Sequence, residues 1–209
     1  MYGANTVSYC SRAEAVLKRG FDLIVALGGL ILLSPLLVML AIAVKAHDGG
    51  PVFSRATRVG RDGELFRLYA FRTITTGLAR QPAASAQGEH PHTPIGCWLR
   101  RAKLDKLPQL FNVLVGDMSL VGPRAEDPRY VALYTGLQRR VLRVRPGMIG
   151  VAALDYRHEE LGLTGPGWES VYRYNVMPVL LALELDYLAR RTLWSDIDLI
   201  LRAIAEVFR

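Results

Sequence analysis

Residues 21–46 read FDLIVALGGLILLSPLLVMLAIAVKA, an apolar run with Ser34-Pro35 near its middle. Across 23–44 about 22 residues carry no full charge, enough for a helix to cross roughly 30 Å of hydrocarbon. A proline inside such a helix has no backbone N–H to give and clashes with the preceding turn, so the run is expected to kink or break at Pro35. Ser34 is placed to satisfy the backbone groups that the proline leaves open. Cationic residues flank the run on both sides, Lys18 and Arg19 before it, Lys45 and His47 after it. A simple span is expected to carry its cations mainly on one side. A hairpin that enters the bilayer, bends at Ser34-Pro35 and leaves by the same face accounts for both features. Two plainer readings fit less well. One modest domain is too small to surround a core helix this long, and a cleaved signal peptide has a shorter apolar stretch with a small-residue cleavage site behind it.

The chain has 209 residues, a net charge of +7 and 51% hydrophobic residues, which suits one membrane segment joined to one basic domain. The expected division is a leading segment at 1–20, the membrane segment at 21–46 and a membrane-surface catalytic domain at 47–209. The positive balance fits anionic headgroups or a phosphorylated substrate. Nucleic acid is disfavoured, because the basic residues are scattered and no known binding module appears. Cys10 and Cys97 have neither metal nor redox spacing, so a reducing cytosolic setting is the expectation.

After the apolar run, two mixed apolar and polar stretches, 51–60 and 64–72, flank Arg61-Asp62-Gly63. Asp-Gly between such stretches signals a hairpin. Arg55, Arg67 and Arg72 would project from this ribbon, either as a solvated strand face or as part of a site. Residues 80–94 are small, polar and proline-rich and read as a loop. His90 and His92 lie in it, and His47 and His158 are far away in sequence, so histidine is not expected to build a metal site.

The stretch 95–124 carries most of the chemistry. Leu104, Leu107, Leu110, Phe111 and Leu114 fall at helical spacing, with Asp105 opening the helix, Pro108 in its first turn and Gly116 closing it. An aspartate there is stabilised by free amides and the helix dipole, and an N-cap is its plainest role. The setting points further. Arg100, Arg101 and Lys103 precede Asp105, Gly122-Pro123-Arg124 follows the helix, and cations crowding one carboxylate imply a polyanionic substrate. Downstream, Asp127-Pro128 reads as a helix start, while Glu126 and Asp127 are the nearest acids a metal could use. Arg139, Arg140, Arg143 and Arg145 form a basic cluster suited to headgroups or substrate. Residues 179–188 and 193–208 read as amphipathic helices, and Arg190, Arg191 and Trp194 suit either an interface or ordinary packing.

Taken in order, these motifs resemble the bacterial sugar transferases, the monotopic phosphoglycosyl transferases, over 18–208. The matching stretches begin with Lys18-Arg19-Gly20-Phe21-Asp22 ahead of the Ser34-Pro35 break, then Phe71-Arg72-Thr73 and Leu104-Asp105 with Pro108-Gln109-Leu110-Phe111-Asn112. Gly116-Asp117, Gly122-Pro123-Arg124, Arg145-Pro146-Gly147 with Gly150, Asp186-Tyr187 and Asp196 follow in the same order. The resemblance implies a mostly helical α/β fold: a re-entrant helix-break-helix, interfacial amphipathic helices and a small β-ribbon around a catalytic helix. It also implies a place on the cytoplasmic face of a bacterial inner membrane. The implied reaction has two steps. Asp105 attacks the β-phosphorus of a UDP-sugar and expels UMP, and a polyprenol phosphate from the anionic bilayer then takes the covalently held phosphosugar. Magnesium and arginines would neutralise the diphosphate, with Arg72, Arg100, Arg124 and Arg145 at matching positions. A homodimer is left open.

The chain departs from that pattern at telling places. Lys106 stands where the family has a glutamate implicated in holding the metal, Lys103 where a small hydroxyl residue is common, Ala70 where lysine is common and Ala125 where a second proline is usual. Lys106 reverses the local charge beside the nucleophile position. It either stands in for part of the metal's charge or repels magnesium. A non-catalytic membrane-bound relative or scaffold, made inert at Lys106, is therefore the alternative to the transferase, and release of UMP from a UDP-sugar separates the two.

Overall fold

The computed structural model describes residues 12–75, 93–155 and 167–207. His90, His92, His158, Cys10 and most of the 156–167 loop lie outside the described residues. One helix, α1 (Arg12–Asp48), carries the apolar run and takes in the end of the expected leading segment. It continues through Pro35 as one helix, and a local repair supplies the bond that the proline cannot make. Pro35 brings no amide to the Ile31 carbonyl, and the Ser34 hydroxyl donates to that carbonyl instead, at 2.8 Å. Ile24, Leu27, Ile31, Leu32, Val38, Met39 and Ile42 stay exposed, an apolar face along a helix long enough to cross a membrane.

The other face of α1 is held near both ends of the apolar run. Lys18 pairs with Asp196 of the last helix and lies 3.9 Å from Asp22. Asp22 accepts from the Ser119 hydroxyl at 2.8 Å and the Leu120 amide at 3.3 Å, and the Tyr187 hydroxyl donates to Asp196. Asp22 and Asp196 are buried, which is tolerable only because each has such partners. Beyond Pro35, Leu40 and Val44 are buried with Phe71 and Leu99 in an apolar cluster. One body therefore receives both ends of the run.

The Asp-Gly signal is a hairpin, as expected. β1 (Phe53–Val59) and β2 (Leu65–Phe71) pair antiparallel, with Phe53 opposite Phe71 and Val59 opposite Leu65. Between them Asp62 and Gly63 take φ of 55° and 88°, the left-handed region that short polar residues and glycine tolerate. α2 (Pro94–Arg101) starts at Thr93, whose hydroxyl accepts from the Gly96 amide at 3.0 Å, with Pro94 as its first residue.

A separate 3₁₀ turn (Leu104–Lys106) follows, then α3 (Gln109–Val115). Asp105 thus sits in its own turn rather than opening α3, for two reasons. Lys103, left-handed at φ 56°, redirects the chain after α2. Pro108 has no amide for the Leu104 carbonyl, which takes the Leu107 amide at 3.2 Å, a 3₁₀ bond instead of an α bond. Gly116 closes α3 at φ 108°, as expected. Buried Asn112 stitches α3 to the ribbon: its amide donates to the Arg67 carbonyl at 2.7 Å and its oxygen accepts the Tyr69 amide at 3.0 Å.

β3 (Ser119–Val121) and β4 (Gly147–Ile149) pair in parallel. They press the Gly-Pro-Arg and Arg-Pro-Gly turns so close together that a Cβ on Gly147 would stand 2.0 Å from the Gly122 nitrogen, leaving room for glycine alone. α4 (Pro128–Val131) is capped by Asp127, whose carboxylate accepts the Arg129 amide, so the helix-start reading of Asp127-Pro128 holds. α5 (Val151–Asp155) and α6 (Trp168–Val171) follow; α6 runs through a π-helical turn (Tyr172–Val176) into α7 (Met177–Arg190), and α8 (Leu193–Val207) is last. α7 and α8 are the two amphipathic helices expected at this end. The fold is mostly helical with small sheets.

Candidate active site

One apolar cluster brings Asp105 and two arginines together. Phe71 and Leu99 are buried in it, Leu104 packs against it, and Leu40 and Val44 of α1 complete it. Arg72, Arg100 and Asp105 are the residues immediately after Phe71, Leu99 and Leu104. Each apolar side chain is an anchor, and the polar group beside it leaves the backbone in another direction, as neighbours on a strand or helix must. β2 and α2 both contact the Asp105 turn. The chain end that carries Arg72 is also locked to α2: the Thr93 amide donates to the Thr73 carbonyl at 3.0 Å, and a Cβ on Gly96 would stand 2.3 Å from that oxygen. Arg72 is buried, Asp105 half-buried and Lys106 exposed. The arrangement offers a carboxylate and guanidinium groups beside an apolar helix, a chemistry suited to a phosphate ester that has a lipid tail or meets one.

The other two arginines have partners on other elements. Arg145 donates from Nε to the Gly116 carbonyl at 2.7 Å, while Arg19 of α1 donates to the carbonyls of Val113 at 2.8 Å and Leu114 at 3.2 Å. Together they cap the C-terminal end of α3, where unpaired carbonyls and the helix dipole favour cations. Burial, and then the Arg19 charge, lower the Arg145 pKa from its ordinary value. Asp105 precedes the opposite end of α3, and the Nε bond adds a capping role for Arg145 to the diphosphate role expected of it. Arg124 borders a cavity that it shares with Glu126, Tyr134, Tyr172 and Glu184, its Nε 4.0 Å from Glu126.

That cavity holds a residue the sequence reading passed over. Glu184 is 3% exposed, and neither of its oxygens closes a hydrogen bond of ordinary geometry. Burial pushes its pKa up to about 8, against the weaker pull of the Ala152 and Arg124 amides and the Arg124 charge. Burial also raises the Tyr134 phenol. The available signal was a carboxylate set inside the buried stripe of Leu180, Leu181 and Leu188 on α7. Glu126, by contrast, is well used: it accepts the Tyr172 hydroxyl at 2.7 Å and the Asp127 amide at 2.9 Å, with Arg58 at 3.8 Å.

Magnesium is usually held by one or two carboxylates together with substrate phosphates and water, in near-octahedral geometry. Here the position after Asp105 is a lysine, Glu126 and Asp127 are committed as described, and no group of three or more His, Cys, Asp or Glu converges among the described residues. With lysine at 106, a magnesium ion here would rest on Asp105, substrate phosphates and water.

Comparison with known proteins agrees with the motif order. The sequence pattern of the bacterial sugar transferase family matches residues 13–209. The undecaprenyl-phosphate glucose phosphotransferase of Komagataeibacter xylinus is 36% identical over 200 residues, which is 91% of this chain and 36% of that protein. The UDP-glucose:undecaprenyl-phosphate glucose-1-phosphate transferase of Caulobacter vibrioides is 38% identical over 192 residues, 90% of this chain and 68% of the relative. The undecaprenyl-phosphate galactose phosphotransferase of Salmonella typhimurium is 34% identical over 214 residues, 95% of this chain and 42% of the relative. The chain thus spans about two-fifths of the length of two of these relatives and two-thirds of the third.

Proposed function

This chain belongs to the bacterial sugar transferase family, and on that premise we propose that it moves a sugar-1-phosphate from a UDP-sugar to a membrane polyprenol phosphate through a covalent phosphosugar on Asp105. One observation carries the reading. Arg72, Arg100 and Asp105 each follow an anchor of the same apolar cluster, and that cluster is completed by the membrane-length helix. A carboxylate so placed can meet a soluble nucleotide and a lipid phosphate in turn.

In the first step an Asp105 oxygen attacks the β-phosphorus. The bond from that phosphorus to the bridging oxygen breaks, and UMP leaves with the electron pair. In the second, a phosphate oxygen of the polyprenol phosphate attacks the same phosphorus, and the bond to Asp105 breaks to return the carboxylate. Arg72 and Arg100 grip the diphosphate, for which a planar two-pronged cation is suited. Arg124, on the Gly-Pro-Arg turn, is kept as a further diphosphate contact of this reading, and Lys106 adds charge at the exposed side. Magnesium enters only as a counter-ion that the diphosphate brings with it. Relatives named for glucose, galactose and N-acetylgalactosamine transfer match at similar identity, so the sugar is read from a panel of UDP-sugars.

We place the site on the cytoplasmic face of an inner membrane, with α1 entering and leaving by that face. The two ends of the apolar run support this, since Asp22 is held by Ser119 and Val44 lies beside Phe71 in one domain. Leaving by the same face requires α1 to bend at Pro35, which the Ser34 bond to the Ile31 carbonyl permits without ending the helix. Ala15→Cys and Ala46→Cys, each made in a chain lacking Cys10 and Cys97, should resist an impermeant thiol reagent added to whole cells and label in inverted vesicles. Labelling of only one from outside would make α1 a span.

The activity is tested on the membrane-embedded chain by UMP release and by intact mass of the phosphosugar adduct. Asp105→Asn should lose both and remain folded. An adduct that persists in that variant would move the nucleophile elsewhere. Exposed Lys106 beside Asp105 favours the second reading, an inert relative, and absence of UMP release from every UDP-sugar would establish it.

A further inference from the structure

We infer that Glu206, on the last helix, is a positioning residue for the Asp105 turn and acts through Lys103; the inference rests on Asp105 being the nucleophile. Lys103 Nζ and Glu206 Oε2 are 2.6 Å apart although the residues are separated by 103 positions. Lys103 has φ 56° and ψ 15°, and Asp62 is the other described non-glycine residue with positive φ. Asp62 lies in a hairpin turn beside a glycine, where a short polar side chain relieves the crowding. Lysine has no such local relief, so its left-handed backbone must be imposed by its surroundings.

That backbone sets the direction in which the chain leaves α2. The N–H of Lys103 donates to the Arg100 carbonyl at 3.1 Å, and Leu104-Asp105 follow at once. α8 holds the far end of the Lys103 side chain while Leu104 packs on the apolar cluster, so the turn is restrained from two sides. Both partners are about three-quarters buried, with side-chain exposures of 23% and 25%. A pair of that exposure adds little to global stability. Its effect is local: it orients the turn, and it neutralises one of the two lysines that flank Asp105. A small displacement of a nucleophile slows the chemical step far more than it weakens substrate binding.

The experiment uses the full chain in bilayer discs and follows the rate of adduct formation, KM for the UDP-sugar and Tm. Glu206→Gln should slow adduct formation roughly five- to tenfold and leave KM within about twofold, with Tm unchanged. The swap Lys103→Glu with Glu206→Lys should recover most of the rate. Lys103→Gly, which takes a positive φ without strain, should make the rate insensitive to Glu206→Gln. An unchanged rate in Glu206→Gln, or a loss that follows Tm, overturns the inference while the transferase reading stands. A wild-type chain that forms no adduct with any UDP-sugar overturns the transferase reading instead. The positioning is then read by hydrogen exchange at the Leu107 amide, which closes the 3₁₀ turn and should exchange faster in Glu206→Gln; unchanged exchange sinks it.

Discussion

Asp105 and Glu184 are both carboxylates in reach of the arginine-bearing motifs, and the fold encloses them to different degrees. Asp105 is half-buried in a short turn between two lysines, set beside an apolar helix. Glu184 is enclosed on α7, faces a cavity without a standard hydrogen bond, and has its pKa pushed up to about 8. A nucleophile that serves two substrates in succession must be reachable and charged. An enclosed acid that holds its proton near neutral pH is neither. On the proposed reading the chemistry therefore belongs to the rim built on Phe71, Leu99 and Leu104 and not to the cavity.

The sharpest way to break this contrast is to neutralise each acid in turn. Asp105→Asn should reduce UMP release by roughly 10⁴-fold or more, the scale seen when a nucleophile is removed. Glu184→Gln should leave turnover within about threefold, because amide and protonated acid have similar shape and charge. Equal losses in the two variants would erase the distinction drawn between the carboxylates.

Stability reverses the ranking. The folded-state pKa of Glu184 lies above its unfolded value, so between about pH 4.5 and 8 the native chain keeps a proton that the unfolded chain has released. Stability attributable to this residue is full below that window and falls as pH rises through it, by roughly 1.4 kcal/mol per pH unit. Glu184→Gln removes this slope. Denaturant midpoints of wild type and variant should therefore diverge steadily from pH 5 to pH 8, with the variant the more stable at the alkaline end. Parallel midpoints would mean that Glu184 is ionised in the native state and solvated.

A smaller effect separates the arginines. Arg72→Ala and Arg100→Ala should each weaken transition-state binding by about 1.5–3 kcal/mol, the range for hydrogen bonds to charged groups, with Tm little changed. Arg145→Ala should do the reverse, lowering stability by about 1 kcal/mol through the loss of a C-terminal cap and leaving KM in place. An Arg145→Ala variant with a raised KM and an unchanged Tm would favour the diphosphate role over the cap.

The features legible in the sequence are those fixed by near neighbours. Asp62-Gly63 declares the hairpin, Gly116 the end of α3 and Asp127-Pro128 the start of α4, because turn and cap chemistry acts within a few residues. Ser34 likewise announces the repair of Pro35. What was not legible is mostly long-range. Nothing near Arg145 reveals that its side chain will cap α3 across 29 positions, or that Arg19 will reach the same end across 94. The left-handed backbone at Lys103, which detaches Asp105 from α3, is tied to a glutamate on the last helix. Motif order singles out Asp105, Arg72 and Arg100 as candidates, but the common cluster of Phe71, Leu99 and Leu104 beside them is a property of the fold.

Lys106 gives a small expected change in the wild type and the most informative one. It is exposed beside Asp105, where a cation a few ångströms from a phosphate is worth about 1–4 kcal/mol depending on solvent screening. That range is enough to replace part of a divalent ion's work and also enough to weaken the ion's binding. Wild-type UMP release should therefore persist at low magnesium and rise only about two- to threefold on saturation, a modest gain for a site already supplied with charge. Lys106→Glu replaces a competing cation by a ligand suited to magnesium, so its activity should be lower than wild type without the ion and increase tenfold or more, roughly, as the ion is added. Titrating both proteins with magnesium at fixed UDP-sugar separates the outcomes. Superimposable curves would show that residue 106 does not face the diphosphate. A wild type silent at every concentration beside an active Lys106→Glu would mean that the lysine has switched this chain off, because the rest of the rim would then be competent and only the charge at 106 wrong.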